Sequence, residues 1–438
     1  MKMKRNIFLG IVLILSVTAY TDFACLTLAG AEAFEKPRQA IWYHTGYPGG
    51  LAGPPSGMSA LTGPTKMPAV FEAIRRQALV APERLHTDSV EVRNRAPAAP
   101  PIDLESLRAV HTDRYLKAVL TGEPAHLALS QGLPAWSRDV ARGWLLNSGG
   151  LAAAAEAAVR ERTITANLGH GYHHATATQG MGFCTINGML VAARKLIRAG
   201  KAGRIMIVDL DHHEGNGTGE GVIGDPRIWN VSIYGSYMGG PGSAANNRVF
   251  EVHHRAFTKP AERDENYLAA IASVLPGLIR RQSPDLVMYQ AGMDPFDGGG
   301  ISAEALAVRD AYVFALCRTM GIPVAWVLAG GYADLETLVR LHTGTARGAS
   351  EVLDRVRPGG RIEHRPGDPY RWSVRGEAAV FSNWGAAGGD AARMMPRPSL
   401  TEAEVRERAA ARIRAFREEC LADEEMRAAY DGIRTQSP

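Results

Sequence analysis

The chain has 438 residues, a formal net charge of +4 and 46% hydrophobic residues. That hydrophobic content supplies a real core, and so small a charge over this length argues against a nucleic-acid-binding protein. Four scattered cysteines, one of them Cys25 near the N-terminus, make neither a disulfide framework nor a zinc–thiolate cluster.

Met1-Lys2-Met3-Lys4-Arg5 is a positive start, residues 7–19 are an apolar run, and Ala31-Glu32-Ala33 is a small-x-small cleavage pattern. Residues 1–33 are therefore expected to be an export signal. The run is shorter than the ~20 residues of a membrane span, and Asp22 blocks its extension. The expectation is a soluble protein, periplasmic or secreted, with no stable membrane insertion after cleavage; an uncleaved N-terminal anchor is the alternative. Residues 34–65 are rich in Gly and Pro and read as loop. Apolar spacing predicts helices over 68–79, 104–120 and 136–162, with a Pro/Ala linker at 96–101. Strands are then expected at 163–168, 204–209, 228–233, 286–290 and 323–328, with helices at 187–199, 266–281 and 303–320 between some of them. Strands alternating with helices imply an α/β fold with a parallel sheet covered by helices. Residues 356–398 look like a loop-rich extension. Thr401-Glu402-Ala403-Glu404 is a capping box opening a charged helix to about residue 420, so 399–438 is expected to be a helical tail on the surface of a domain spanning 34–355.

In open parallel sheets functional groups gather beyond the carboxyl ends of the strands, and four of these strands end in unusual residues. The first runs into Gly169-His170-Gly171-Tyr172-His173-His174-Ala175, whose imidazoles are natural proton carriers. The second runs into Asp209-Leu210-Asp211-His212-His213-Glu214-Gly215-Asn216-Gly217. Alternate side chains of an extended segment share a face, so Asp211 and His213 can aim at one point, and an oxygen–nitrogen donor set suits Zn²⁺. Asp209 is placed to orient a histidine. The third strand runs into Gly292-Met293-Asp294, a candidate third ligand, and the fourth into Gly330-Gly331-Tyr332, whose phenol can donate to a developing oxyanion. Three protein ligands leave a metal an open coordination position, as catalytic sites do.

With these motifs in order, the chain resembles the histone deacetylase family, which also holds acetylpolyamine amidohydrolases and related bacterial deacetylases. The resemblance rests on the histidine-pair segment with Gly182-Phe183-Cys184 and Asn187, on the Asp-rich segment through Thr218, on Gly292-Met293-Asp294 and on Gly330-Gly331-Tyr332. Leu107-Arg108-Ala109-Val110-His111-Thr112-Asp113-Arg114-Tyr115 looks like the family's upstream helix. The resemblance implies a three-layer αβα sandwich and a zinc-dependent deacetylase. Asp211, His213 and Asp294 would bind one Zn²⁺; His174, paired with Asn216, would be the general base for the attacking water; and His173, bonded to Asp209, its electrostatic or acid partner. Tyr332 would polarise the amide carbonyl, Phe183 would line the acyl channel, and Gly182 would let substrate pass close to the backbone. A structural K⁺ near Asp209 is also implied, as is an acetylated small molecule or acetyl-lysine-bearing protein as substrate. The chain departs from the family pattern at His170 (usually Gly), at Glu214 (often His or Gln) and over residues 294–300, which are shorter than usual. Two other readings stand beside this one: an arginase-like hydrolase with two metal ions, and a catalytically idle binder of acetylated ligands.

Overall fold

A computed structural model describes residues 38–47, 63–253, 258–365, 368–375, 394–396 and 398–435. The expected export signal lies outside the described residues. Eight parallel strands make the central sheet: β1 (Ala40–Trp42), β2 (Leu85–His86), β3 (Ile164–Asn167), β4 (Ile205–Asp209), β5 (Ile228–Tyr234), β6 (Asn247–Val252), β7 (Leu286–Gln290) and β8 (Val324–Val327). A hairpin follows, β9 (Arg361–Arg365) with β10 (Asp368–Arg375), and then β11 (Met394–Pro396), which joins the sheet antiparallel to β6. The sheet order is β11-β6-β5-β4-β7-β8-β3-β1-β2.

The sheet separates two apolar layers, and the alternation along each strand assigns its side chains between them. Met206, Val208, Val287, Tyr289, Val324 and Trp326 face helices Gly63–Arg76, Pro260–Gln282, Ala303–Thr319 and Leu335–Arg355. Ile205, Ile207, Leu286, Met288, Ala325 and Val327 face helices Asp113–Thr121, Arg138–Glu161 and Gly188–Arg198. The strands are apolar throughout because both faces are covered, the mark of parallel sheets. Trp326 is fully buried, and its truncation to Ala would cost roughly 3–5 kcal/mol. The result is the three-layer αβα sandwich that the alternation and the resemblance implied.

The five expected strands are β3, β4, β5, β7 and β8, each within a residue or two of the expected bounds. The segment 104–120 is not one helix: it breaks between Leu104–Arg108 and Asp113–Thr121. The loop expected over 34–65 contains β1, and the extension 356–398 is not loop alone, since β9, β10 and β11 lie in it. These strands are short or sit at sheet edges, where pairing partners and not apolar runs define the strand. The tail holds two helices, Glu402–Glu418 and Asp423–Arg434. The first buries no side chain, whereas the second buries Met426, Tyr430 and Ile433. The tail is therefore a surface element only in its first half.

Candidate metal centre

The carboxyl ends of β4, β7, β8 and β3, four adjacent strands, carry the four motifs into one place. At the end of β4, Asp209 Oδ1 accepts from the Asp211 N–H at 3.1 Å, and Asp211 Oδ1 accepts from the His213 N–H at 3.0 Å. These consecutive turns, and not an extended strand, bring Asp211 and His213 to one point. Beyond β7, Asp294 Oδ1 accepts from the His212 N–H at 2.9 Å. The Gly330 N–H beyond β8 donates to Asp211 Oδ2 at 2.9 Å. A Cβ at Gly330 would lie 2.5 Å from Asp294 Oδ2 and 2.7 Å from Asp211 Oδ2, so this glycine is what lets the carboxylates sit beside the turn.

Asp211, His213 and Asp294 converge with one donor atom each, all within 4.8 Å of one another. His213 Nδ1 lies 2.9 Å from Asp294 Oδ2 and 3.4 Å from Asp211 Oδ1. Those separations bracket the ~3.3 Å edge of a tetrahedron with metal–ligand bonds near 2.0 Å. Burial works against a charged His213, yet bonds to Asp211 and Asp294 raise it to about 10. Burial and the Asp211 charge push Asp294 up to about 7, while Asp211 is held low by His173 and His213 against its own burial. Two buried carboxylates and an imidazole around one point thus attract positive charge strongly, and the donor set fits a divalent cation. His212, the other candidate nitrogen, presents its backbone to Asp294; the ring that meets the carboxylates belongs to His213.

Two histidines flank this cluster, with ring centroids 3.9 Å apart. His173 Nδ1 donates to Asp209 Oδ2 at 2.8 Å. Burial would depress His173, but the charges of Asp209 and Asp211 raise it to about 9. His174 Nδ1 lies 2.6 Å from Asn216 Oδ1, an atom that can only accept, so Nδ1 carries the proton and Nε2 keeps its lone pair. Burial and the neighbouring His173 hold His174 down to about 3. One imidazole is thus built to keep a proton and its neighbour to stay neutral, the divergence that marks acid–base pairs.

Tyr332 stands edge-on to His213 at 6.2 Å between ring centroids, and its backbone N–H donates to Asp297 Oδ2 at 3.0 Å. The residue as a whole is 36% exposed. Burial of the phenol, followed by the charges of Asp294 and Asp211, nonetheless pushes it well above the usual tyrosine range, so the hydroxyl stays protonated. Gly182 (φ 53°) and Phe183 (φ 61°) are both left-handed. A Cβ at Gly182 would meet His174 Cδ2 at 2.4 Å. The glycine therefore makes room for the histidine ring, a closer constraint than the substrate passage expected of it. Phe183 pays roughly 1–2 kcal/mol for its backbone conformation, held by its N–H to the Gln131 carbonyl at 2.8 Å.

Sequence reasoning missed two buried cations behind the centre. Arg309 is fully buried; its guanidinium donates to the carbonyls of Leu210 (3.2 Å) and Gly292 (2.7 Å) and to Asp310 Oδ1 (2.8 Å). It thereby ties together the backbones that deliver Asp211 and Asp294. Lys66 Nζ donates to the Ala329 carbonyl at 2.9 Å, just before the Gly330-Gly331-Tyr332 turn. Burial lowers Lys66 to about 8 against the pull of Asp294, Asp211 and Asp297. A lone Arg or Lys in a helix reads as surface, and no spacing rule would have singled out either.

The chain is similar to known proteins over most of this fold. The histone deacetylase domain model matches residues 62–347. An uncharacterised protein of Picosynechococcus sp. is 32% identical over 253 residues, covering 56% of this chain and 82% of that protein. Histone deacetylase 2 of Arabidopsis thaliana is 29% identical, covering 50% of this chain and 54% of its own length, and human histone deacetylase 1 is 24% identical, covering 55% and 54%. The chain thus spans about half the length of these two named deacetylases. The crystal structure of the HDA15 HD domain superposes with a TM-score of 0.56 at 19% identity, covering 92% of this chain and 100% of that one.

Proposed function

The chain belongs to the histone deacetylase family, and from that premise we propose that it is a zinc-dependent amidohydrolase that removes an acetyl or short acyl group from a lysine-like or polyamine-like amine. The observation that carries the reading is the convergence of Asp211, His213 and Asp294 within 4.8 Å, beside a neutral imidazole and a protonated phenol. Zn²⁺ held by these three would acidify a coordinated water toward neutrality and polarise the amide carbonyl. His174 Nε2 takes the proton of the attacking water, and Asn216 fixes the tautomer that makes this possible. His173, charge-paired with Asp209, supplies positive potential and a proton for the departing amine. The Tyr332 hydroxyl donates to the carbonyl oxygen as charge builds on it. Phe183 and Gly182 form the wall beside His174 along which the acyl chain lies.

A single ion is favoured over an arginase-like pair. Glu214, the extra carboxylate nearest the ligand segment, accepts instead from the backbone N–H of Gly240 at 2.9 Å and of Met238 at 3.3 Å. K⁺ near Asp209 completes the proposed ion set as a structural cation. Export through residues 1–33 is part of the proposal and turns the substrate choice toward acetylated polyamines, other small amides or exported proteins; N-terminal sequencing of protein recovered outside the cytoplasm should find a new terminus after Ala33.

Acetylpolyamines and acetyl-lysine peptides, assayed with zinc present, test the reading together with Tyr332→Phe. Loss of one oxyanion donor typically costs about 10²–10³ in rate, so the variant should bind metal normally and turn over that much more slowly. A Tyr332→Phe protein that deacetylates at the wild-type rate would refute the role, and a zinc-loaded wild type inert toward every acetylated amine would refute the activity.

A further inference from the structure

The C-terminal arm reaches the site through the N-terminus of helix Asp113–Thr121. The first N–H groups of a helix lack partners within it, and a side-chain oxygen at the N-cap normally satisfies one. Thr112 is the N-cap here, yet its hydroxyl makes no bond to its own helix. It donates to Glu419 Oε2 instead. The orphan N–H of Arg114 donates to the Glu419 carbonyl at 3.2 Å, and the Leu421 N–H donates to Asp113 Oδ2 at 3.0 Å. A residue far along the chain thus supplies the cap through its backbone carbonyl, while its carboxylate holds the N-cap hydroxyl. Glu419 is held there because the following helix, Asp423–Arg434, is docked by Met426, Tyr430 and Ile433, with Tyr430 Oη donating to the Ile102 carbonyl at 2.7 Å.

The same short segment holds the histidine-pair loop on its other side. The Thr112 N–H donates to the Ala177 carbonyl at 2.9 Å, and His111 Nδ1 donates to the Thr176 carbonyl at 2.8 Å. His111 Nε2 in turn accepts from the Asn187 N–H at 3.0 Å, and Asn187 Nδ2 donates to the Ala175 carbonyl at 3.1 Å. Residues 175–177 directly follow His173 and His174. One peptide link, His111-Thr112, therefore has the arm on one side and the base-bearing loop on the other.

We propose that Glu419 is a positioning residue: its carboxylate, by holding the Thr112 hydroxyl beside the helix start that its carbonyl caps, fixes the loop that aims His174. The effect on turnover rests on the amidohydrolase reading; the effect on the loop does not.

The test uses full-length Glu419→Ala, Glu419→Gln and Thr112→Val, with hydrogen exchange at the Thr112 and Asn187 amides, kcat and KM, and metal content. Glu419→Ala removes a hydrogen bond to a charged acceptor, so exchange at both amides should quicken about tenfold. Turnover should fall roughly tenfold through kcat, with KM and metal content unchanged, because a displaced base costs rate and not binding. Glu419→Gln keeps an oxygen acceptor and should restore most of both. Thr112→Val should reproduce Glu419→Ala, and the double variant should be no worse than either single one. Unchanged exchange at Thr112 and Asn187 in Glu419→Ala overturns the proposal whether or not the enzyme is active, as does a Gln variant as impaired as the Ala variant. A zinc-loaded wild type without deacetylase activity counts against the proposed function alone, and the exchange result then decides the positioning role by itself.

Discussion

Acid should destabilise this protein through His111, a buried ring that only its neutral form fits. The ring is fully buried, receives the Asn187 N–H on Nε2 and donates from Nδ1 to Thr176, so only the neutral ring fits: a proton on Nε2 would face another N–H. Burial, opposed by the bond to Thr176 and reinforced by Arg194, lowers its pKa from 6.5 to about 4. Above pH 6.5 the ring is neutral in both folded and unfolded chains and contributes no pH dependence. Between pH 6.5 and about 4 the unfolded chain takes up a proton that the folded chain refuses. Unfolding then becomes easier by ~1.36 kcal/mol per pH unit, roughly 3 kcal/mol across the window. Below the folded pKa no further loss comes from this group. Urea unfolding at pH 7.5, 6.5, 5.5 and 4.5, for wild type and His111→Gln, isolates the contribution, since other buried histidines such as His170 and His342 act equally in both. The glutamine variant should start less stable at pH 7.5 and lose stability more gently by about one proton's worth per pH unit. Parallel pH profiles for the two proteins would show that His111 is not held neutral.

Two further substitutions probe the support of the centre. Gly182→Ala places a methyl 2.4 Å from His174 Cδ2 at a left-handed position; turnover should fall by about 10² or more while zinc binding persists, and a variant with wild-type kcat would show that His174 has room to move. Arg309→Met strips the buried Asp310 of its cation and leaves the Leu210 and Gly292 carbonyls without their donor, so urea unfolding should report a loss of roughly 3–5 kcal/mol, whereas a loss under 1 kcal/mol would mean that the guanidinium is not what ties the two ligand segments together.

The centre was more legible in the sequence than the frame that carries it. Metal ligation and proton transfer demand particular side chains at fixed offsets, so Asp209-Leu210-Asp211-His212-His213 and Gly171-Tyr172-His173-His174-Ala175 announce themselves wherever they fold. Even there the geometry came from backbone turns capped by Asp209 and Asp211, not from the extended strand that alternation suggested. Helix Leu335–Arg355 went unseen because its buried stripe of Leu338, Leu341, Thr345, Ala349 and Val352 is diluted by threonines and two glycines. The edge strand β11 and its neighbour β6 were missed because such strands are recognised by their partners. Docking of Asp423–Arg434 hangs on Met426, Tyr430 and Ile433, three apolar residues in a charged segment, too few to separate a docking face from a solvated one. Arg309, Lys66 and Glu419 act through carbonyls and caps supplied from elsewhere in the chain, relations that exist only once the fold has formed.

The proposed chemistry depends on three side chains from two strand ends, Asp211, His213 and Asp294, holding one divalent ion. Metal-free protein titrated with zinc should take up one equivalent per chain, and Asp294→Ala and Asp211→Ala should each lose that uptake at micromolar zinc while remaining folded. A full equivalent bound by Asp294→Ala, or two ions bound by the wild type, would contradict it.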